Sequence, residues 1–337
     1  MSYTRIDMPS PLSSFDCSFD SYLKKRKAML SKHMMGNGLP DYAYKVDYEY
    51  RKKLDAVPGL YKAAKALCST WVSQELQKAN IQYLSVGPTQ FPEVYDIACD
   101  CAKRLGIAVP NVYVSPTGEF NAYAYGYDDV EPFIVITEFM LERLPLNELK
   151  AIIGHECGHI QNYHSLYTTL TNLLITAGAQ ALGPVNQLIA MGVNASVTLL
   201  LNMWSRAAEV SADRAGMICA DSVEDAMNAT KKLLYGGVKI DDKVDTTLDI
   251  DSLRKQFEIS DNTGARFVEL LSTHPATIKR VLTDLEFSEC ETFYEWRPEL
   301  KKPDQILRTK EETDKRCKKY IDVIDNKTSK KNKKGAK

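Results

Sequence analysis

The chain has 337 residues, 44% of them hydrophobic and 26% charged, and carries a formal net charge of -1. This length is enough for one large domain or two modest ones around a buried core. The balance of 43 basic against 44 acidic side chains argues against a specific nucleic-acid partner or an anionic membrane recognised by bulk charge. The first residues, MSYTRIDMPSPLSSFDCSFD, hold no basic run followed by an apolar core, so no secretory signal is expected. The eight cysteines are scattered, and the one close pair, Cys99 and Cys101, is C-x-C. Reduced thiols in a cytoplasmic protein, mostly buried as small apolar groups, are the expectation.

In chain order, residues 1 to about 40 read as an arm rich in proline and glycine, with a basic cluster at Lys24, Lys25, Arg26 and Lys27 that suits a solvated helix face. Tyr42 to Leu84 is helical in pattern, broken at Pro58 and Gly59. Pro92 to Leu105 sets Val94, Ile97, Ala98, Cys101 and Leu105 on one helix face, with Gly106 as the stop. Three short strands are expected at Asn111–Ser115, Phe120–Tyr125 and Pro132–Thr137, joined by turn residues into a small antiparallel sheet. A long helix begins near Pro145 and Asn147, with Leu149, Ile152, Ile153, Cys157 and Ile160 at helical spacing. Helix patterning resumes after Gly236 and Gly237 up to about Phe287, and the lysine-rich end, SKKNKKGAK, is expected to be a disordered tail. The division expected is a helical arm at 1–80, a catalytic domain at 81–290 and an extension at 291–337.

The chemistry is concentrated in GHECGH, where His155 and His159 are four residues apart on the long helix with Glu156 between them. Residues at i and i+4 share a helix face, so both imidazoles can reach one zinc ion, and Glu156 projects beside it as a base for water. Two of only five histidines fall at this spacing. His164 follows His159 by five positions, which on a continuing helix turns it off that face and toward the surface or a partner. A catalytic zinc takes three protein ligands. The candidate third is Glu209 in WSRAAEVSADRAG, with Asp213 one turn further on to hold the far nitrogen of a zinc histidine. The same segment, with Arg206 and Arg214, also fits an exposed charged helix, and spacing leaves both readings open.

GHECGH followed by E-x-x-x-D resembles the gluzincin zinc peptidases, and the details resemble the HtpX-like branch that includes Oma-type and prenyl-protein proteases. NAYAYG at 121–126, GHECGHI at 154–160, SRAAEVSADRAG at 205–216 and THPATIKRV at 273–281 carry the resemblance, in that order. It implies an α+β, mainly α, gluzincin-like fold with a small antiparallel sheet, an active-site helix and a second helix bearing the third ligand. It also implies zinc ligands at His155, His159 and Glu209, the base at Glu156 and a supporting role for Asp213. Asn121, Ala122 and Tyr123 would lie on an edge strand that binds substrate backbone, and His274 would face the cleft and stabilise an oxyanion. The function implied is a zinc-dependent endopeptidase acting on protein or peptide substrates, with one Zn2+ per chain.

Ser165 to Ser205 contains no Asp, Glu, Lys or Arg and divides at Gly183 and Pro184. Thr168, Thr169, Thr171, Asn172, Asn186, Asn194 and Asn202 make it too polar for a comfortable membrane span, so a packed helical hairpin, or a peripheral membrane or protein contact, is expected. The many-span architecture of the prenyl-protein branch is absent, which separates this chain from that substrate class. Two rival readings are a membrane-embedded quality-control protease and a zinc-stabilised, chaperone-like protein that holds clients on 165–205 without cutting them; Glu156 argues against the latter, since a structural metal site has no use for a base.

Overall fold

The computed structural model describes residues 33–35, 38–127, 130–180, 195–234, 250–260 and 277–322. The basic cluster at 24–27, the break at Gly183 and Pro184, His274 and the lysine-rich end lie outside them. Two helices, α1 (Lys45–Asp55) and α2 (Leu60–Gln82), precede a two-residue strand β1 (Leu84–Ser85) and helix α3 (Pro92–Leu105). Pro92 starts α3, and left-handed Gly106 (φ 66°) ends it. Strands β2 (Asn111–Ser115), β3 (Ala122–Tyr127) and β4 (Val130–Thr137) follow, then the short helix α4 (Glu138–Arg143), whose first turn is capped by the Thr137 hydroxyl.

The sheet is mixed rather than antiparallel, which corrects the expectation from the strand pattern. Its order is β1-β2-β4-β3. The β3–β4 hairpin is antiparallel, but β4 inserts between β3 and β2 and so runs parallel to β2, from Asn111 opposite Phe133 to Ser115 opposite Thr137. The composition of β4 explains its central place. Phe133 and Val135 pack with Val72 and Ala79 of α2 on one face, while Ile134 and Ile136 join the main core on the other. A continuous apolar run is what a strand covered on both faces requires. Strand β3, built from tyrosine and alanine, is left at the edge.

Helices α5 (Leu146–Gln161), α6 (Ser165–Gln180), α7 (Ala195–Cys219), α8 (Val223–Leu234), α9 (Ile250–Ser260), α10 (Thr277–Phe287), α11 (Glu291–Trp296) and α12 (Lys310–Ile321), with a 3-10 turn at Pro298–Leu300, complete the described elements. The tightest junction is between α5 and α7. A Cβ on Gly154 would stand 2.3 Å from that of Cys219, and one on Gly158 would stand 2.5 Å from that of Ala215. Only glycine permits this approach, which brings the backbones close enough for side chains of both helices to meet at one point.

A second apolar cluster joins Tyr167 and Leu170 of α6 and Val197, Leu201 and Trp204 of α7 to Leu54, Leu60 and Ala64. A third joins Tyr44 and Val46 to Cys317 and Ile321 of α12. The seven described cysteines are free thiols, all buried except the half-buried Cys99. Among the described residues no helix is long and apolar enough to cross a membrane.

Candidate active site

His155, Glu156 and His159 sit on α5 in the plane of its closest contact with α7, which carries Glu209 and Asp213. Glu209 is 6% exposed, and every residue from Trp204 to Cys219 is buried, so the exposed-helix reading of this segment does not hold. The Nε2 atoms of His155 and His159 are 3.0 Å apart. The Glu209 carboxylate lies 3.7 Å from the first and 3.5 Å from the second. These three residues could hold a metal ion together.

The far side of each ring determines where its proton sits. His155 Nδ1 is 2.9 Å from Asp213 Oδ1, so it must be the donor. His159 Nδ1 is 2.9 Å from His164 Nδ1, and His164 Nε2 is 2.9 Å from Asp47 Oδ2. A carboxylate only accepts, so His164 donates from Nε2; when that is its one proton, its Nδ1 accepts and the His159 proton sits on Nδ1. On this arrangement both Nε2 atoms turn their lone pairs toward one point beside the Glu209 carboxylate. Two lone pairs repel each other, whereas one cation can be shared by both and by the nearby carboxylate, so the donor set and its geometry fit a metal.

His164 is fully buried, which overturns the surface expectation. The helix geometry assumed there stops at Gln161. Tyr163 takes a left-handed conformation (φ 58°), its N–H bonds to Ile160 O, and the His164 N–H bonds back to His159 O at 3.0 Å. This paired closure of a helix C-terminus folds the chain back under its own last turn. The fifth residue after His159 is thus returned to it.

Burial would raise the Asp213 carboxyl, but the Arg280 charge, with hydrogen bonds from His155 and Arg280, outweighs burial and holds it well below the usual carboxylate range. Arg280 of α10 donates from Nε to Asp213 Oδ2 at 2.9 Å, and its Nη1 lies 3.5 Å from Glu209 Oε2. This residue was missed in the sequence although it belongs to THPATIKRV. The available signal was charge: two buried carboxylates require a buried counter-charge. Glu156 is 5% exposed, and burial pushes its carboxyl up to about 7, with the nearby Glu209 charge adding to the rise and His155 opposing it.

The cleft over these groups has a volume of about 260 Å³. Its lining includes Asn121, Ala122 and Tyr123 along the β3 edge and Ser165, Thr168 and Asn172 of α6. Asn121 immediately precedes the strand, and Thr137 N–H bonds to its carbonyl at 3.1 Å. The structure thus brings together His155, Glu156, His159, Glu209, Asp213, Asn121, Ala122 and Tyr123; His274 falls outside the described residues.

The sequence pattern of peptidase family M48 matches residues 88–285. The chain belongs to peptidase family M48. It is 27% identical to the plastoglobule-localized metallopeptidase 48 of Arabidopsis thaliana over 245 residues, 71% of this chain and 70% of that protein. It is 24% identical to a protease HtpX homolog of Bifidobacterium longum over 232 residues, 63% of this chain and 75% of that one. No solved structure matches it. As a member of this family the chain is an HtpX-like metallopeptidase, a hydrolase whose substrates are proteins or peptides.

Proposed function

We propose that His155, His159 and Glu209 hold one zinc ion and that Glu156 is the general base of peptide-bond hydrolysis. The observation that carries this reading is the pair of Nε2 atoms 3.0 Å apart beside a buried carboxylate. Two imidazoles and one carboxylate, with a fourth position left for water or substrate, are the donor set of a catalytic zinc. Zinc, when bound, polarises a carbonyl oxygen and makes water acidic enough to lose a proton near neutral pH.

Glu156, with its carboxyl pushed up to about 7 by burial, is matched to proton exchange under those conditions. It takes a proton from water as the hydroxyl adds to the scissile carbonyl carbon. It then gives that proton to the leaving nitrogen as the C–N bond breaks, releasing a carboxylic acid and an amine. Among the described residues no strand pairs with the outer side of β3, so an extended peptide adds there as a further strand, with Asn121, Ala122 and Tyr123 contacting its backbone. Asp213 orients His155, and His274 donates a hydrogen bond to the developing oxyanion. We further assign the protein to the cytoplasm, with any membrane attachment peripheral and made through residues 165–205; release by a carbonate wash supports this and retention contradicts it.

The deciding experiment is Glu156→Gln on the full chain. Casein or peptide-library cleavage is expected to be abolished while zinc content stays at wild-type level. Cleavage by this variant at the normal rate removes Glu156 from the mechanism.

A further inference from the structure

Residues 38–55 lie outside the stretch matched by the family, yet they are built into the back of the metal site. The Tyr42 hydroxyl donates to Gln161 Oε1 at 2.7 Å and accepts from Asn162 Nδ2 at 3.0 Å, at the end of the helix that bears both histidines. Arg51 donates to the Asn162 carbonyl at 2.9 Å, one of the carbonyls that the end of α5 leaves without a helical partner. From the other side, Arg214 donates to the Tyr42 carbonyl and pairs with Asp314 of α12, which also accepts from the Lys45 N–H. The first turn of α1 is thus clamped between the C-terminus of α5 and a helix from the far end of the chain.

Asp47, 1% exposed, projects from that turn. Its Oδ2 accepts from His164 Nε2 at 2.9 Å and from the Ser211 hydroxyl at 2.7 Å, and Ser211 accepts from the Tyr44 N–H at 3.0 Å. Burying a carboxylate is costly, and a purely structural contact here could be apolar. Instead the carboxylate meets a ring whose other nitrogen is 2.9 Å from His159. Asp47 holds a proton on His164 Nε2; with that as the ring's one proton, His164 Nδ1 accepts from His159 and the His159 Nε2 lone pair faces the metal.

We propose that Asp47 is a positioning residue for the metal site, acting through His164 to fix the proton and ring orientation of His159, so that residues 38–55 complete a centre whose ligands all lie in the family-matched region. The inference rests on the zinc reading of His155, His159 and Glu209. Partners of this kind, standing behind a metal-bound histidine, typically change metal affinity by about 10–100-fold when removed.

The test uses the full chain and its isosteric variant Asp47→Asn, whose amide can present N–H to His164 and reverse the order of protons. Zinc affinity is read by competition with a chromophoric chelator, and the visible spectrum of the cobalt-substituted protein reports the ligand field. Asp47→Asn is expected to weaken zinc binding by about 10–100-fold and to shift the cobalt bands. Added to His164→Asn, it is expected to cause no further loss, because the carboxylate acts only through that ring. Folded Asp47→Asn protein with wild-type zinc affinity and an unchanged cobalt spectrum overturns the proposal, even if its zinc-free form melts lower. Should Asp47→Asn fail to fold, Ser211→Ala decides in the same assay: severalfold weaker zinc binding supports the relay, and unchanged binding overturns it. Wild-type protein that takes up no zinc overturns the ligand assignment itself, and the relay with it.

Discussion

The two histidines of the metal site are supported in opposite ways. His155 leans on Asp213, a carboxylate locked by the buried Arg280 guanidinium, and all three residues lie in the family-matched region. His159 leans on a second imidazole, His164, whose own anchor Asp47 comes from the N-terminal flank and is steadied by a serine hydroxyl. The first support is an ion pair built from secondary-structure spacing. The second is a chain of hydrogen bonds that exists only because α5 ends where it does. The first therefore depends on charge balance and the second on the packing of the flanks.

The strongest way to break this contrast is Arg280→Met. It leaves Asp213 and Glu209 buried without their counter-charge, and the metal-free protein is expected to lose about 3–5 kcal/mol in chemical denaturation. A loss well under 1 kcal/mol would mean that charge balance does not govern the His155 side.

Glu156, between the two supports, supplies a pH test. In the metal-free protein its carboxyl is raised by burial to about 7, above its unfolded value. Its contribution to stability is therefore fully present below a pH of about 4.5 and is lost as pH rises through about 7. Metal-free Glu156→Gln should gain on wild type across that window, by up to about 3 kcal/mol at pH 8, as read from melts at several pH values. A difference between the two proteins that does not change with pH contradicts the burial argument.

The smallest effect sharpens the comparison most. Asp213→Asn is expected to weaken zinc binding by about 10–100-fold, the same range as Asp47→Asn, although Asp213 also faces the charged Arg280. Chelator competition on the folded proteins measures both, and a much larger loss for one would show that the two supports are not equivalent to the metal.

These contrasts also explain what could be read in advance. The i, i+4 histidines with Glu156 were legible from helix spacing; for Glu209 and Asp213 spacing left an exposed charged helix open as well, and the family resemblance singled them out. The strands were legible from alternation and from the apolar run at 133–136. The placement of β4 between β2 and β3 was not, because pairing order depends on which faces the helices cover. His164 was misread because its angle was extrapolated along a helix that closes at Tyr163, a left-handed residue that is not glycine. Asp47 was invisible because 117 residues separate it from His164, and no local pattern marks a carboxylate that waits for a distant ring. Arg280 stood in a motif already noted, and the demand of two buried carboxylates for a cation would have picked it out.

The central claim is that two imidazoles and one carboxylate hold the ion, with no thiolate, although Cys157 lies between the two histidines in sequence. X-ray absorption at the zinc edge on freshly purified full-length protein tests this directly. The account predicts one zinc per chain with only nitrogen and oxygen neighbours at about 2.0–2.2 Å. A sulfur shell at about 2.3 Å, or protein that retains no zinc, would contradict it.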